Sequence, residues 1–90
     1  MRITYDEVKR LKTLTDRGLD FADAGQIFDS VHFTQEDDRY DYAEPRFQTY
    51  GLIEDRMVMI AWTPTKKGIR IISMRKCNDR EKKAFAARLG

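Results

Sequence analysis

Six residues that could bind or transform a phosphate group lie close together near the end of this 90-residue sequence. An arginine carries a planar fork of N–H donors that fits two phosphate oxygens at once, and it stays charged. Serine and lysine add further donors, and a glutamate can accept a proton. We assign catalysis to Arg75, Arg80 and Glu81, and contacts with a polyanion to Arg70, Ser73 and Lys76.

The strand predicted around these residues sets their directions. Ile69–Arg75 is rich in β-branched residues, as strands are, and alternate side chains of a strand point to opposite faces. Strict alternation places Arg75 on one face with Ile69, Ile71 and Ser73, and Arg70 on the other with Ile72, Met74 and Lys76. Arg70 and Arg75 could then lie side by side only if the strand contained a bulge. Arg75 ends the strand and Arg80 opens the next helix, so these two side chains can converge.

Three side chains are candidates for moving a proton, and each also has a structural explanation. Glu81 could be a general base, but it lies three residues after Asn78, and a capping box already accounts for that spacing. His32, the single histidine, could reach a substrate, although a strand residue facing solvent is the simpler interpretation. Cys77 follows two basic residues, which could lower its pKa, yet a small side chain packed at the strand-to-helix joint is favoured.

Aromatic residues on the preceding strands could stack on unpaired bases. We assign Tyr50 and Trp62 to such contacts, together with Arg46. Core packing is the alternative, and it is favoured for Phe47 and, more weakly, for Trp62. Aromatic side chains beside a basic groove are typical of proteins that bind single-stranded nucleic acid, so RNA is the favoured partner.

The charge is divided unevenly along the chain. Residues 66–90 carry nine basic and two acidic residues, net +7, whereas residues 1–65 carry eight basic and thirteen acidic residues, net −5. This asymmetry indicates an end of the chain that binds a polyanion. Solvated helix and strand faces would also account for it.

Composition argues against several other classes of protein. One histidine and one cysteine fall short of a zinc ligand set, and we expect no metal site and no cofactor. The sequence has neither a Ser-His-Asp set nor a phosphate-binding glycine loop. It contains no signal-peptide pattern and no apolar run that could span a membrane, so we expect a cytoplasmic protein without membrane contact.

Helical periodicity and capping residues predict three helices in one domain, residues 1–90. The first should begin at Thr4 or Asp6 and end at Gly18, which suits a left-handed cap. A shorter helix follows from Asp20 to about Asp29. Asn78 caps the last helix.

Between the second and third helices the apolar period changes to that of strands. Short turns separate the strands, which predicts an antiparallel meander of three to four strands in an α+β fold. The predicted strands are Val31–Thr34, Arg46–Ile53, Met57–Trp62 and Ile69–Arg75.

Several segments resemble the BrnT family of bacterial toxins. They include Tyr5-Asp6-Glu7-Val8-Lys9, Arg17-Gly18-Leu19-Asp20-Phe21, Asp38-Arg39 and Glu44-Pro45-Arg46-Phe47. The most specific is the run from Ile69 to Lys76, Ile-Arg-Ile-Ile-Ser-Met-Arg-Lys, followed by Arg80-Glu81. The resemblance covers nearly the whole chain. The sequence departs from many members at Asp16-Arg17-Gly18, where they have Lys-His-Gly, and at Phe85, where they have an aromatic hydroxyl.

The resemblance implies a RelE-like fold and a type II toxin that cleaves RNA, inhibits translation and arrests growth. It implies a ribbon-helix-helix antitoxin of the BrnA type, in a complex of two toxins and two antitoxins. Operator DNA would be bound only through the antitoxin. The predicted reaction needs no metal, because the 2′-hydroxyl of the RNA itself attacks the adjacent phosphate. The alternative is a non-catalytic basic module that binds a partner protein or nucleic acid.

Overall fold

The computed structural model describes residues 1–89, with side chains through Arg88, as a five-stranded sheet with helices on both faces. The strands are β1 Arg2–Thr4, β2 Phe33–Glu36, β3 Phe47–Ile53, β4 Arg56–Pro64 and β5 Gly68–Lys76. The helices are α1 Glu7–Arg17, α2 Ala24–Asp29 and α3 Asp79–Leu89, with a short 3₁₀ turn at Phe21–Asp23. The α+β prediction is confirmed. None of these helices is long and apolar enough to cross a membrane.

The strand order, β1-β5-β4-β3-β2, corrects the prediction of three to four antiparallel strands. Strands β2 to β5 form the expected antiparallel meander, with the apolar β4 at its centre. The additional strand, β1, pairs with β5 in parallel, so the sheet is mixed. Gly68 permits this pairing, because a Cβ there would lie 2.0 Å from the carbonyl oxygen of Arg2. A three-residue strand whose partner is distant in the sequence leaves no periodic signal.

Helix α1 begins after Asp6, the second of the two predicted starts. The Asp6 carboxylate accepts hydrogen bonds from the backbone N–H groups of Val8, at 2.8 Å, and Lys9, at 3.3 Å. Thr4 lies in β1 instead. Gly18 ends the helix as predicted, in the left-handed conformation with φ 66°, which glycine adopts without steric cost.

The apolar side of α1 faces solvent. Val8 is 75% exposed and Leu11 52%. The inward side is polar: Arg10 donates two hydrogen bonds to the Asp20 carboxylate, and Arg17 donates one to the carbonyl oxygen of Met74, at 2.7 Å. Polar hydrogen bonds therefore attach α1 to the start of the 3₁₀ turn, through Asp20, and to β5, through Met74.

Two apolar clusters cover the two faces of the sheet. On the α2 face, residues of the 3₁₀ turn and α2 pack on alternate residues of the central strands; the cluster comprises Leu19, Phe21, Ala24, Ile27, Ile53, Val58, Ile60, Ile69, Ile71 and Met74. On the α3 face the buried residues are Tyr50, Met59, Ala61 and Cys77, with Phe33, Met57, Ile72 and Phe85 packed against them. The sheet therefore separates a larger apolar cluster on its α2 face from a smaller one on its α3 face, which includes Cys77.

Candidate active site

The joint between β5 and α3 holds an arginine in a fixed position. The Asn78 side chain accepts a hydrogen bond from the N–H of Glu81, at 2.8 Å, and the Glu81 carboxylate accepts one from the N–H of Asn78, at 3.0 Å. This reciprocal capping box confirms the capping interpretation of Glu81. The same carboxylate accepts two hydrogen bonds from Arg75, at 2.6 and 2.8 Å. Helix capping thus positions the carboxylate that orients Arg75.

The Arg75–Glu81 pair changes the proton affinity of both groups. Hydrogen bonds from Arg75 are the largest cause that lowers the pKa of Glu81; burial opposes them, and the Asn78 N–H adds to them. The hydrogen bond to Glu81 raises the pKa of Arg75 in turn. Because a lower pKa means a weaker base, Glu81 binds a proton poorly while Arg75 contacts it.

An aromatic stack holds α3 against the sheet next to this joint. The rings of Tyr50 and Phe85 lie 3.8 Å apart at an interplanar angle of 19°, and the Phe33 ring lies 5.4 Å from that of Phe85. The Tyr50 hydroxyl donates to Gln48, and burial is the main cause that raises its pKa. Tyr50 is only 3% exposed, so its ring cannot stack on an RNA base while α3 is in this position.

A bulge in β5 corrects the predicted assignment of residues to faces. The register opposite β4 shifts at Ala61/Trp62, which makes Ile72 an additional residue in β5. Arg75 lies opposite Met59, Ser73 opposite Ala61 and Arg70 opposite Thr63. Those three β4 residues alternate along their strand and therefore share one face. Arg70, Ser73 and Arg75 thus all lie on the α3 face.

Met74 lies on the other face of the sheet, the α2 face. It lies opposite Ile60 and is fully buried beside Ile69 and Ile71. Strict alternation predicted Met74 on the face opposite Arg75, which is confirmed, but it predicted Ile69 and Ile71 on the face of Arg75, which is wrong.

The other predicted contacts with RNA are more dispersed. Arg80 and Lys76 are exposed at the joint. The guanidinium of Arg46 lies over the Tyr42 ring, 4.2 Å from its centre, in the loop before β3. Trp62 lies on the opposite side of the sheet from Arg75: it packs on Phe47 and its Nε1 donates to Thr49, at 2.8 Å. The structure therefore does not bring Trp62 to the joint.

Neither His32 nor Cys77 is placed for proton transfer beside Arg75. A ring nitrogen of His32 lies 2.8 Å from the carbonyl oxygen of Ser30, and the ring packs edge-on against Phe28, which belongs to the α2 face. Cys77 is buried, and burial raises its pKa to about 11. Packing at the joint, the favoured interpretation of Cys77, is confirmed.

Sequence reasoning missed the residues that support Arg75. Phe85 and Gln48 hold Tyr50 from two sides, and a stack between distant residues leaves no local pattern. The bulge, in contrast, has a signal: the apolar residues Ile69, Ile71 and Met74 are spaced by two and then by three, where an uninterrupted strand would keep a spacing of two.

Comparison with known proteins identifies the family. Residues 5–81 match the family model described as ribonuclease toxin, BrnT, of type II toxin-antitoxin system. No curated protein matches the chain. The match includes most of the chain and both partners of the Arg75–Glu81 pair. A toxin of this class has an RNA substrate and an antitoxin partner, and the chain belongs to the BrnT family of ribonuclease toxins.

Proposed function

We propose that this chain is a metal-independent endoribonuclease whose active site lies on the α3 face at the β5–α3 joint. The observation that supports this site is the bidentate contact of Arg75 with Glu81. A carboxylate and a phosphate present the same two-oxygen edge to a guanidinium. An RNA phosphate can therefore replace Glu81 on the donor fork of Arg75.

This exchange supplies both the electrostatic stabilisation and the base. Arg75 and Arg80 hold the phosphate and stabilise its additional negative charge in the transition state. Glu81, released from the hydrogen bonds that lower its pKa, becomes a stronger base and takes the proton of the 2′-hydroxyl. The 2′-oxygen forms a bond to phosphorus and the bond to the 5′-oxygen breaks. The leaving 5′-oxygen takes a proton from water, and the hydroxide formed takes up the proton from Glu81, which restores the carboxylate. The products are a 2′,3′-cyclic phosphate and a 5′-hydroxyl.

The remaining contacts guide the RNA along the α3 face. Arg70 and Ser73 follow Arg75 along the same face. Arg70 lies about 13 Å from Arg75 at about 3.3 Å per strand residue, because their partners Thr63 and Met59 are four residues apart. Arg46 adds positive charge near the Arg70 end of this path, whereas Lys76 lies opposite Val58, on the α2 face, and adds charge only from the end of β5. Such charges attract the polyanion and bind its phosphates without reading its bases.

Family membership also supports a cellular role. The proposed toxin acts in the cytoplasm, inhibits translation and arrests growth. Its partner is a BrnA-like ribbon-helix-helix antitoxin, in a complex of two toxins with two antitoxins that contacts operator DNA only through the antitoxin. Coexpression with a short ribbon-helix-helix protein encoded beside the toxin tests the pairing. Growth should recover, and a stable complex should contain equal numbers of both chains.

Cleavage of RNA by purified protein in excess chelator tests the enzyme. Wild-type protein should produce fragments with cyclic-phosphate ends, and Arg75→Ala/Arg80→Ala should lose at least about 100-fold in rate. The matched control is Lys66→Ala/Lys67→Ala, which removes the same charge from the exposed turn before β5 and should remain active. Equal rates for the two double variants would contradict the assignment, and cleavage that requires added metal would contradict the mechanism.

The alternative function is a basic module that binds RNA or a partner without breaking a bond. The observation that favours it is the hydrogen-bonded pair of Arg75 and Glu81. The pair occupies the guanidinium that would bind phosphate, and it lowers the pKa of Glu81, which makes this carboxylate a weak base. The same experiment distinguishes the two functions. Retention of intact RNA, with affinity reduced in Arg75→Ala/Arg80→Ala, would support the module.

A further inference from the structure

A small cavity lies between α1 and the part of β5 that β1 leaves uncovered. Strand β1 pairs with β5 only at residues 68–70, so within residues 1–89 the rest of β5 has no neighbouring strand at this edge. Helix α1 lies there instead, and Arg17 donates its hydrogen bond to the carbonyl oxygen of Met74. The cavity has a volume of about 150 Å³ and is lined by Ile72, the additional residue of the bulge. Bulges are common beside active sites.

One face of α1 lines the cavity, and most of its charged side chains are cationic. Residues three and four apart lie on the same face of a helix, and the lining residues with this spacing are Lys9, Lys12, Thr13 and Asp16. Arg17 also lines the cavity, which therefore has three cations and one carboxylate. The ion pairs formed within residues 1–89 include neither lysine. The charge of both lysines is therefore available to an anionic ligand.

The size and the lining of the cavity fit a phosphate group rather than a nucleobase. Sites for small molecules usually have volumes of about 300 Å³ or more, and this cavity is smaller. Proteins hold unpaired RNA bases by stacking them on aromatic side chains, but the aromatic residue that lines the cavity, Phe21, is only 1% exposed. The lysine ammonium groups and the hydroxyls of Thr13 and Ser73 are instead donors that phosphate oxygens accept.

The cavity adjoins the proposed active site through Ser73. This residue lines the cavity and lies on the α3 face with Arg75, two residues further along β5, or about 7 Å at about 3.3 Å per strand residue. Consecutive phosphates of one strand are about 3.4 Å apart along the axis of a duplex, and further apart in an extended single strand. An RNA strand with one phosphate at Arg75 can therefore place the next one in the cavity.

We propose that this cavity is a subsite for the RNA phosphate adjacent to the one that is cleaved, held by Lys9, Lys12 and the hydroxyls of Thr13 and Ser73. The inference deepens the proposed function and rests on it, because the RNA is the substrate that the function supplies. The adjacent phosphate does not react, so its contacts are equally strong before and during the reaction. Such contacts lower KM and leave kcat unchanged.

Cleavage of a short RNA by the purified chain in excess chelator tests the subsite. Lys9→Ala/Lys12→Ala, at exposed helix positions that tolerate alanine, should raise KM at least about tenfold and leave kcat within about twofold. Lys9→Arg/Lys12→Arg keeps both charges and should keep KM within about threefold of the wild type. The matched control is Lys66→Ala/Lys67→Ala, which removes the same charge from the exposed turn before β5 and should raise KM less than about threefold.

Binding of a labelled 2′-O-methyl oligouridine, which cannot be cleaved, measures the subsite without the reaction. In a plot of the logarithm of Kd against the logarithm of salt concentration, Lys9→Ala/Lys12→Ala should lower the slope by about 1. Equal losses of affinity in this variant and in Lys66→Ala/Lys67→Ala would overturn the inference, as would a fall in kcat with KM unchanged. A labelled glutamate-rich peptide gives the comparison with a protein ligand: if Lys9→Ala/Lys12→Ala weakens its binding more than that of the RNA, the cavity binds carboxylates and the proposal is wrong.

The same preparations separate the subsite from the enzyme. RNA cleavage with the same KM in the wild type and in Lys9→Ala/Lys12→Ala overturns only the subsite. Binding of oligouridine that depends on Lys9 and Lys12, without cleavage by the wild type, overturns the enzyme and leaves a phosphate-binding site.

Discussion

Removing the Glu81 carboxylate should measurably destabilise the fold. Glu81 accepts two hydrogen bonds from Arg75 and one from the N–H of Asn78. Its side chain is 16% exposed, but that of Arg75 is 39% exposed, so solvent screens the pair, and we assign it about 1 kcal/mol. The cap contributes about 1 kcal/mol more. Glu81→Ala should therefore cost about 2 kcal/mol, and Glu81→Gln, which can keep the cap, about 1 kcal/mol.

For a domain of this size, 1 kcal/mol changes Tm by about 4–8 °C. At pH 7 we expect Tm to fall by about 10 °C in Glu81→Ala and by about 5 °C in Glu81→Gln, measured by circular dichroism. A double-mutant cycle with Arg75→Met isolates the pair from the cap. A coupling energy below about 0.3 kcal/mol would refute the reasoning, since the two side chains would then not stabilise each other in solution.

The same pair predicts a dependence on pH. The pKa of Glu81 is lower in the folded chain than its ordinary value of 4.5, so the unfolded chain binds the proton more readily. The stabilisation is fully present above about pH 4.5 and is lost as the pH falls through the lower, folded pKa. The difference in stability between wild type and Glu81→Gln should therefore shrink from pH 7 toward pH 3. A difference that stays constant over this range would contradict the shift.

Three further predictions concern the scaffold. Gly68→Ala should lower the free energy of unfolding by more than about 2 kcal/mol in a urea titration, because the added Cβ would meet the backbone of Arg2. Gly25→Ala is the control, since the Cβ added there meets only a side-chain atom at 3.6 Å. Equal losses in the two variants would exclude this cause. Asp55→Gly should stabilise the fold by about 0.5–1 kcal/mol, because Asp55 has φ 66° in a two-residue hairpin turn that favours glycine; an unchanged urea midpoint would contradict that. Cys77 is buried, and burial raises the pKa of its thiol to about 11. The thiol should therefore react with a disulfide reagent at pH 8 only after the protein unfolds. Prompt reaction in the native protein would show that the thiol is accessible and would contradict the prediction.

Local patterns were sufficient to predict most elements of the fold. Asp6 and Gly18 mark the ends of α1 because caps depend on neighbouring residues alone. The strand β4, at the centre of the sheet, was found from its sequence because a strand buried on both faces is apolar at successive positions. The strand β1 was missed because its pairing depends on Gly68, which is distant from it in the sequence.

Periodicity predicted α1 but could not say which side the protein covers. Val8 and Leu11 have the spacing of a helix face, yet they point to solvent. What attaches α1 is a pair of arginines: Arg10 reaches Asp20, and Arg17 reaches the carbonyl oxygen of Met74. Hydrogen bonds to a backbone carbonyl have no signature in sequence, because every residue offers that acceptor.

The bulge in β5 allows one strand to contribute to the core and to the candidate site. Ile69, Ile71 and Met74 all lie in the cluster on the α2 face. If regular alternation continued through Ile72, Met74 would leave that cluster and the guanidinium of Arg75 would enter it, where an unpaired charge is strongly unfavourable. With Ile72 absorbed as an additional residue, the core keeps Met74, and Arg75 reaches Glu81 on the other face. The position of the proposed catalytic arginine is therefore a consequence of how the apolar residues of its strand must pack.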